Sequence, residues 1–192
     1  MILQKLKEGT RQQHEHVEGT VDVMSQMFSV DDYKRLIAKF WSFYSAFEPV
    51  LPYAELKEAG FDYDVRRKLA WLEADSKVLG LDRPEAFDDV PDVSTLPKAF
   101  GSLYVIEGST LGGAVISRHL NQHLGLTPEN GGSFYASYGP MVGPMWKSFG
   151  EAITAYAGDG SNDDEIVESA KKTFDSINAL FSKDDAKIVS AS

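Results

Sequence analysis

The chain has 192 residues, with 29 acidic against 19 basic side chains, a formal charge of -10 and a pI near 4.8. That balance opposes the counterion release that drives nucleic-acid binding and opposes docking on anionic lipid, so no nucleic acid and no membrane is expected as partner. Cysteine is absent, which excludes disulfides, thiolate metal sites and cysteine nucleophiles, while 43% hydrophobic content can build one compact domain over 1–192.

The N-terminal run Met1-Ile2-Leu3-Gln4-Lys5-Leu6-Lys7-Glu8 becomes charged before an apolar core can form, so it reads as neither signal peptide nor lipidation site. A cytoplasmic location is expected. The first helix is expected over about 2–18, where Leu3, Leu6 and Val17, with Val21 just beyond, fall within about 60° of one another at 100° per residue. Asp31 and Asp32 open a second, in which Tyr33, Leu36, Ile37, Phe40, Tyr44 and Phe47 recur at three- and four-residue spacing up to Pro49. A third is expected over about 62–79, with Val65, Leu69, Leu72 and Val78 repeating before Gly80; Pro84 to Pro97 reads as an irregular acidic connection. An apolar, glycine-rich segment then runs from about Pro97 to Leu124, ends at Gly125, and gives way to turns over 127–139. Two further helices are expected over about 141–157 and 163–182, and 185–192 as a frayed tail. Strand-like alternation is essentially absent, so the fold class is all-α, a single-domain multihelical array.

His14 and His16 share the first helix but project to nearly opposite sides. His14 falls about 20° from Leu3, inside the apolar stripe, whereas His16 faces the charged side. Periodicity leaves two readings of His14. The commoner is a core imidazole satisfied by backbone or water; the other is a neutral imidazole in an apolar wall, the axial ligand that a haem iron takes. In the second reading Glu18, one turn on, accepts from the other ring nitrogen through water, and Lys7, two turns back, is a cation at the rim rather than an ordinary solvated lysine.

Gly101, Gly108, Gly112 and Gly113 lie inside the longest apolar segment, where each costs about 1 kcal/mol relative to alanine. The first three project within about 40° of one another beside Val105, forming a stripe of nearly bare backbone. Either another helix or a flat ligand approaches it closely. Adjacent Gly112 and Gly113, preceded by Ser109 and Thr110, suit a kink whose freed carbonyls take hydroxyl or water partners.

Taken together, two segments resemble the haem oxygenase family. Leu6-Lys7-Glu8-Gly9-Thr10-Arg11-Gln12-Gln13-His14-Glu15-His16-Val17-Glu18 is similar to the proximal helix, with matching spacing of Thr10, His14 and Glu18. Leu103-Tyr104-Val105-Ile106-Glu107-Gly108-Ser109-Thr110-Leu111-Gly112-Gly113 is similar to the distal helix, in the form found in bacterial enzymes associated with phytochromes. Tyr44-Ser45-Ala46-Phe47-Glu48 and Ala170-Lys171-Lys172-Thr173-Phe174 extend the resemblance along the chain.

The resemblance implies that haem, both cofactor and substrate, lies between the proximal and distal helices and is cleaved with O2 and external electrons to biliverdin, carbon monoxide and ferrous iron. It implies His14 as the iron ligand and Gly108, Ser109 and Gly112 as the catalytic wall. Lys7, Glu18, Tyr104, Gly113 and Lys147 become haem contacts, with Arg118 a reserve propionate partner. The implied partners are a ferredoxin- or flavodoxin-type reductant and a phytochrome as candidate recipient of biliverdin. Two positions depart from the family pattern: Ser109 stands where mammalian-type relatives carry aspartate, and Glu151 falls where a late basic residue pairs with a propionate, Lys147 taking the neighbouring cationic place. These departures keep open a non-catalytic haem carrier or sensor. A carboxylate di-iron site needs paired Glu-x-x-His elements, yet Thr110 stands three after Glu107; a thiaminase-like site needs a cysteine. For a docking patch the clusters are Lys34, Arg35 and Lys39, or Arg66, Arg67 and Lys68, both of which read equally as solvated helix faces.

Overall fold

The computed structural model describes residues 1–20 and 29–182; Val21 and the expected frayed tail over 185–192 lie outside the described residues. Among them every regular element is helical. The single helix expected over 2–18 is divided into α1, Ile2–Gly9, and α2, Arg11–Thr20. The division falls at Thr10 (φ -107°, ψ 5°), whose backbone N–H and hydroxyl both donate to the Leu6 carbonyl, at 2.9 and 2.7 Å. Gly9 there lies so close to the C-terminal helix that a Cβ would stand 2.7 Å from Val167 Cγ1. Regular helical projection is therefore interrupted at Thr10, between Lys7 and His14.

Helix α3, Val30–Phe47, begins as its acidic start predicts: Ser29 caps it by accepting from Asp32 N at 3.1 Å, and Asp31 and Asp32 lie against the positive end of the helix dipole. Its stripe of Tyr33, Leu36, Ile37, Tyr44 and Phe47 is buried. After a short α4, Tyr53–Glu58, the next long helix is α5, Leu69–Leu79. It starts well after residue 62, and Val65 and Val78, expected in its buried stripe, are 70% and 57% exposed. The residues before it form a 3-10 turn, Asp64–Arg66, because they serve a buried charge cluster instead.

That cluster is built on α6, Leu96–Leu124, the axis of the molecule. Glu107 is fully buried in it; Arg66 Nη1 donates to its Oε2 at 2.6 Å and Lys68 Nζ to its Oε1. Tyr138 OH donates to Glu107 Oε1 at 2.9 Å and accepts from Lys68 Nζ at 2.5 Å. Lys68 also donates to the Arg66 carbonyl at 2.9 Å, and Arg66 Nη2 to Ser148 Oγ at 2.6 Å. Beneath them, buried Glu48 accepts from Lys68 N at 2.6 Å and Tyr63 OH at 3.1 Å. Burial holds the Lys68 ammonium below its usual range against the opposing pull of Glu107, and lifts the Glu48 carboxyl above its own. Two buried carboxylates and two buried cations thus balance, as low dielectric demands.

Helix α9, Asp163–Ser182, lies along α6. The approach is so close that a Cβ on Gly101 would overlap the Ile166 carbonyl oxygen, and Ser102, Ser169 and Thr173 join hydroxyls across it at 2.9–3.2 Å. Gly101 therefore serves helix packing. Helix α6 runs unbroken through its glycines to Gly125, which ends it in the left-handed region (φ 67°); Ser109 and Thr110 return their hydroxyls to Ile106 O and Glu107 O, at 2.8 and 2.6 Å. Its length and apolarity would suffice to cross a membrane, but 56% of the apolar stretch is buried inside the protein. A four-residue turn of helix, α7, Ser133–Ala136, and α8, Val142–Ala157, complete the packing.

Replacing one partner of the charge cluster leaves the others buried and uncompensated. Glu107→Gln is therefore expected to lower the urea unfolding free energy by about 3–5 kcal/mol, against less than about 0.5 kcal/mol for exposed Arg67→Ala. Gly101→Ala is expected to cost at least about 1–3 kcal/mol through overpacking against Ile166, measured the same way.

Candidate functional site

The helices enclose a cavity of about 600 Å³, open on one side. α2 contributes His14, Val17 and Glu18, α3 contributes Phe40, Phe43 and Tyr44, and α6 contributes Tyr104 through Gly113 apart from Glu107. Phe134, Tyr135, Trp146, Phe174 and Ile177 come from α7, α8 and α9. The walls are mainly apolar, a composition suited to a flat hydrophobic ligand.

His14 is no core residue. Its side chain is 57% exposed and faces this cavity, because α2 packs through Val17 and leaves the imidazole at the opening. Nδ1 lies 3.5 Å from Glu18 Oε2, and the ring meets Phe174 edge-on at 5.7 Å between centroids. A carboxylate on the Nδ1 side is the placement that, once Nδ1 donates to it, leaves Nε2 to ligate a metal. His16 is exposed and does not line the cavity.

The glycines of α6 divide according to what faces them. A Cβ on Gly112 would meet nothing within 4 Å, and one on Gly108 would meet only the rim of the Trp146 ring, at 3.7 Å. These two supply the bare wall. Gly113 lines the cavity too, but a Cβ there would stand 2.5 Å from the Tyr135 carbonyl oxygen, so its role in the fold is to let α7 approach. Ser109 lines the cavity with its proton committed to Ile106 O. Tyr104 stands half-buried against Trp146, ring centroids 5.7 Å apart, with burial raising its phenol above the ordinary range and a hydrogen bond with Thr10 opposing that rise.

The expected cations fall elsewhere. Lys7 is exposed on α1 and Lys147 is 79% exposed beside Glu151, 3.8 Å away; neither lines the cavity. Arg118 lines a separate shallow groove with Asn121, Gln122 and Thr127. The two basic runs also change meaning: Arg66 and Lys68 are buried in the charge cluster, and Lys39 is buried under the Phe181 ring at 5.6 Å, so neither run is a continuous surface patch. Ser137, Phe134, Trp146 and Ile177 line the cavity without having been singled out from sequence, and Lys68 lines it although the sequence offered it for a surface docking patch. Only tertiary packing assembles them, although a glutamate within the apolar stretch of α6 signalled that buried cations had to exist.

Among the described residues no group of three or more histidines, aspartates or glutamates could hold a metal ion by itself. One imidazole opposite an open stretch of main chain fits a metal that arrives within a planar organic ligand.

The model of the Heme oxygenase family matches residues 1–183. A relative named Heme oxygenase, from Xanthomonas campestris pv. campestris (strain 8004), is 34% identical over 92 residues, which are 48% of this chain and 54% of that protein. The chain thus spans about half the length of that curated relative. Among solved structures, the NO- and CO-bound heme oxygenase of Neisseria meningitidis superposes with a TM-score of 0.84 at 24% identity, over 100% of this chain and 95% of that one. Heme oxygenase from Leptospira interrogans gives 0.75 at 20% identity, over 94% and 98%. At these identities the two structures speak for the fold, and the family match over nearly all of the sequence speaks for kinship: the chain belongs to the haem oxygenase family.

Proposed function

We propose that the protein is a haem oxygenase of the phytochrome-associated bacterial type, acting as one domain over 1–192. It opens haem to biliverdin, carbon monoxide and ferrous iron, using dioxygen and electrons from a ferredoxin- or flavodoxin-type donor, with a phytochrome as candidate recipient of the product. The observation that carries this reading is the apolar cavity bounded by His14 on one wall and by the open backbone of Gly108 and Gly112 on the other. Haem supplies both the iron at which dioxygen is activated and the macrocycle that is opened.

The chain's residues orient and enclose. His14 would hold the iron, with Glu18 Oε2 3.5 Å from its Nδ1 placed to orient the ring. Gly108, Gly112 and the neighbouring Ser109 form the opposite wall, where missing side chains leave room for a small gas beside a flat ring. Tyr104 and Gly113 complete that wall, and Trp146 and Phe174 are further cavity residues that would contact the ligand. Lys7 and Lys147 stand outside the cavity lining and would have to reach in from the surface to pair with the propionates.

Haemin titrated into the purified protein is expected to give a stoichiometric Soret band. Ascorbate or a ferredoxin system under oxygen should then replace it with broad red absorption, whereas a Soret band that persists would make the protein a haem carrier. His14→Ala should lose the axial-ligand spectrum and most turnover, with His16→Ala nearly silent; equal spectra for wild type and His14→Ala would refute the ligand assignment. Gly112→Ala should stabilise the haem-free helix by up to about 1 kcal/mol yet weaken haemin uptake, since its methyl group enters the space the ring needs. Undiminished uptake would remove Gly112 from the wall.

A further inference from the structure

Beyond Ile116, the last residue of α6 that lines the cavity, the same face of the helix carries two histidines. At 100° per residue His119 and His123 project about 20° to either side of Gly112, so they continue the stripe on which Gly108 and Gly112 lie open. His119 stands three residues after Ile116, roughly 4.5 Å further along the axis. Neither histidine lines the cavity, and neither belongs to the site described above.

One turn apart, the two imidazoles lie together, with ring centroids 4.3 Å apart and planes inclined at 36°. His123 is exposed. His119 is half-buried, with Nε2 shielded and unpaired, which leaves Nδ1 as the nitrogen able to meet an ion. No hydrogen bond or ion pair among the described residues engages either ring. The helix dipole favours a cation in the last turn, which accounts for one histidine there. It does not account for a second ring pressed against the first, since like charges at i, i+4 repel. A divalent transition-metal ion removes that conflict: it takes both rings in the neutral form, one nitrogen from each, and replaces repulsion by shared coordination. Nitrogens on a common ion stand roughly 3 Å apart, each about 2.0–2.1 Å from the metal. Rings already side by side reach that arrangement by rotation of their side chains alone.

We propose that His119 and His123 form a two-imidazole site for a divalent transition-metal ion, placed to receive the ferrous ion that the opened macrocycle gives up. The metal site rests on the ring pair; its cargo rests on the haem oxygenase reading and deepens it. Among the described residues no third histidine, aspartate or glutamate joins the pair, so water completes the coordination. Two protein ligands, against the four of a structural zinc site, give weak and rapidly exchanging binding, which suits an ion in passage. Imidazole accepts iron, nickel, copper and zinc alike, and Ni2+ binds such ligands more tightly than ferrous iron does, which makes it the probe.

The test titrates the untagged full chain, free of haemin, with nickel chloride in a calorimeter. Wild type and His14→Ala are expected to bind one Ni2+ per chain with equal affinity. His123→Ala, at an exposed position, and His119→Ala should each weaken that binding by at least about tenfold, the least that losing even an outer partner of a metal costs. In proton NMR spectra of wild type, paramagnetic Ni2+ should broaden the ring signals of His119 and His123 before those of His14 and His16, and ferrous sulfate under nitrogen should broaden the same two. Nickel binding unchanged in His123→Ala, or broadening confined to His14 and His16, overturns the site. A response to Ni2+ at the pair without one to ferrous sulfate overturns the ferrous cargo and leaves the metal site standing. If wild type takes up haemin without consuming it, the oxygenase reading and the cargo fall together, and the nickel titration alone decides for or against the site.

Discussion

A buried carboxylate organises this molecule. Glu107 sits in the middle of the longest apolar helix with no solvent around it, and a charge in that position persists only if opposite charges are brought to it. Arg66 and Lys68 come from the connection before α5, Tyr138 from the loop after α7, and Arg66 continues to Ser148 on α8. Three separated stretches of chain are thereby fixed to one point on α6. Their satisfaction is mutual, since Lys68 carries Glu48 at its backbone while its ammonium serves Glu107.

The same helix uses glycine for two opposed ends. At Gly101 and Gly113 the missing side chain is filled by protein, the Ile166 and Tyr135 carbonyls standing where a Cβ would be. At Gly108 and Gly112 the space is kept open. Close packing on either side of the opening makes the empty stretch a rigid wall rather than a collapsible gap, because interiors near crystal density transmit little slack. The cavity is thus a consequence of how firmly α9 and α7 are seated.

The chemistry follows from contrasts between walls. One wall offers a single imidazole with a carboxylate beside it; the other offers open main chain. Between them the lining is aromatic and aliphatic, which excludes bulk water and strengthens any hydrogen bond made inside. The charge cluster reaches this lining only through Lys68, whose ammonium is committed to Glu107, Tyr138 and the Arg66 carbonyl. Its contribution is to hold Tyr138, and so the strained residue before it, in place.

Composition and periodicity by themselves determined that the chain is all-α, where α3, α6, α8 and α9 run, and that the histidine at position 14 and the glycines of α6 were unusual for a helical core. Those features are local: caps, apolar spacing and left-handed terminators act within a few residues. The start of α5 was misread because the apolar pattern through Val65 competes with a tertiary demand, the delivery of Arg66 and Lys68 to Glu107, which no local signal encodes. The break at Thr10 was missed for a like reason, since it answers the contact of Gly9 with Val167. Helical projection correctly grouped Gly101, Gly108 and Gly112 on one face, yet only the neighbouring helices decide which of them is filled and which is open. The strained backbone at Ser137 was invisible, because its positive φ exists only once Asp75 and Glu107, far apart in sequence, have pinned both ends of the segment.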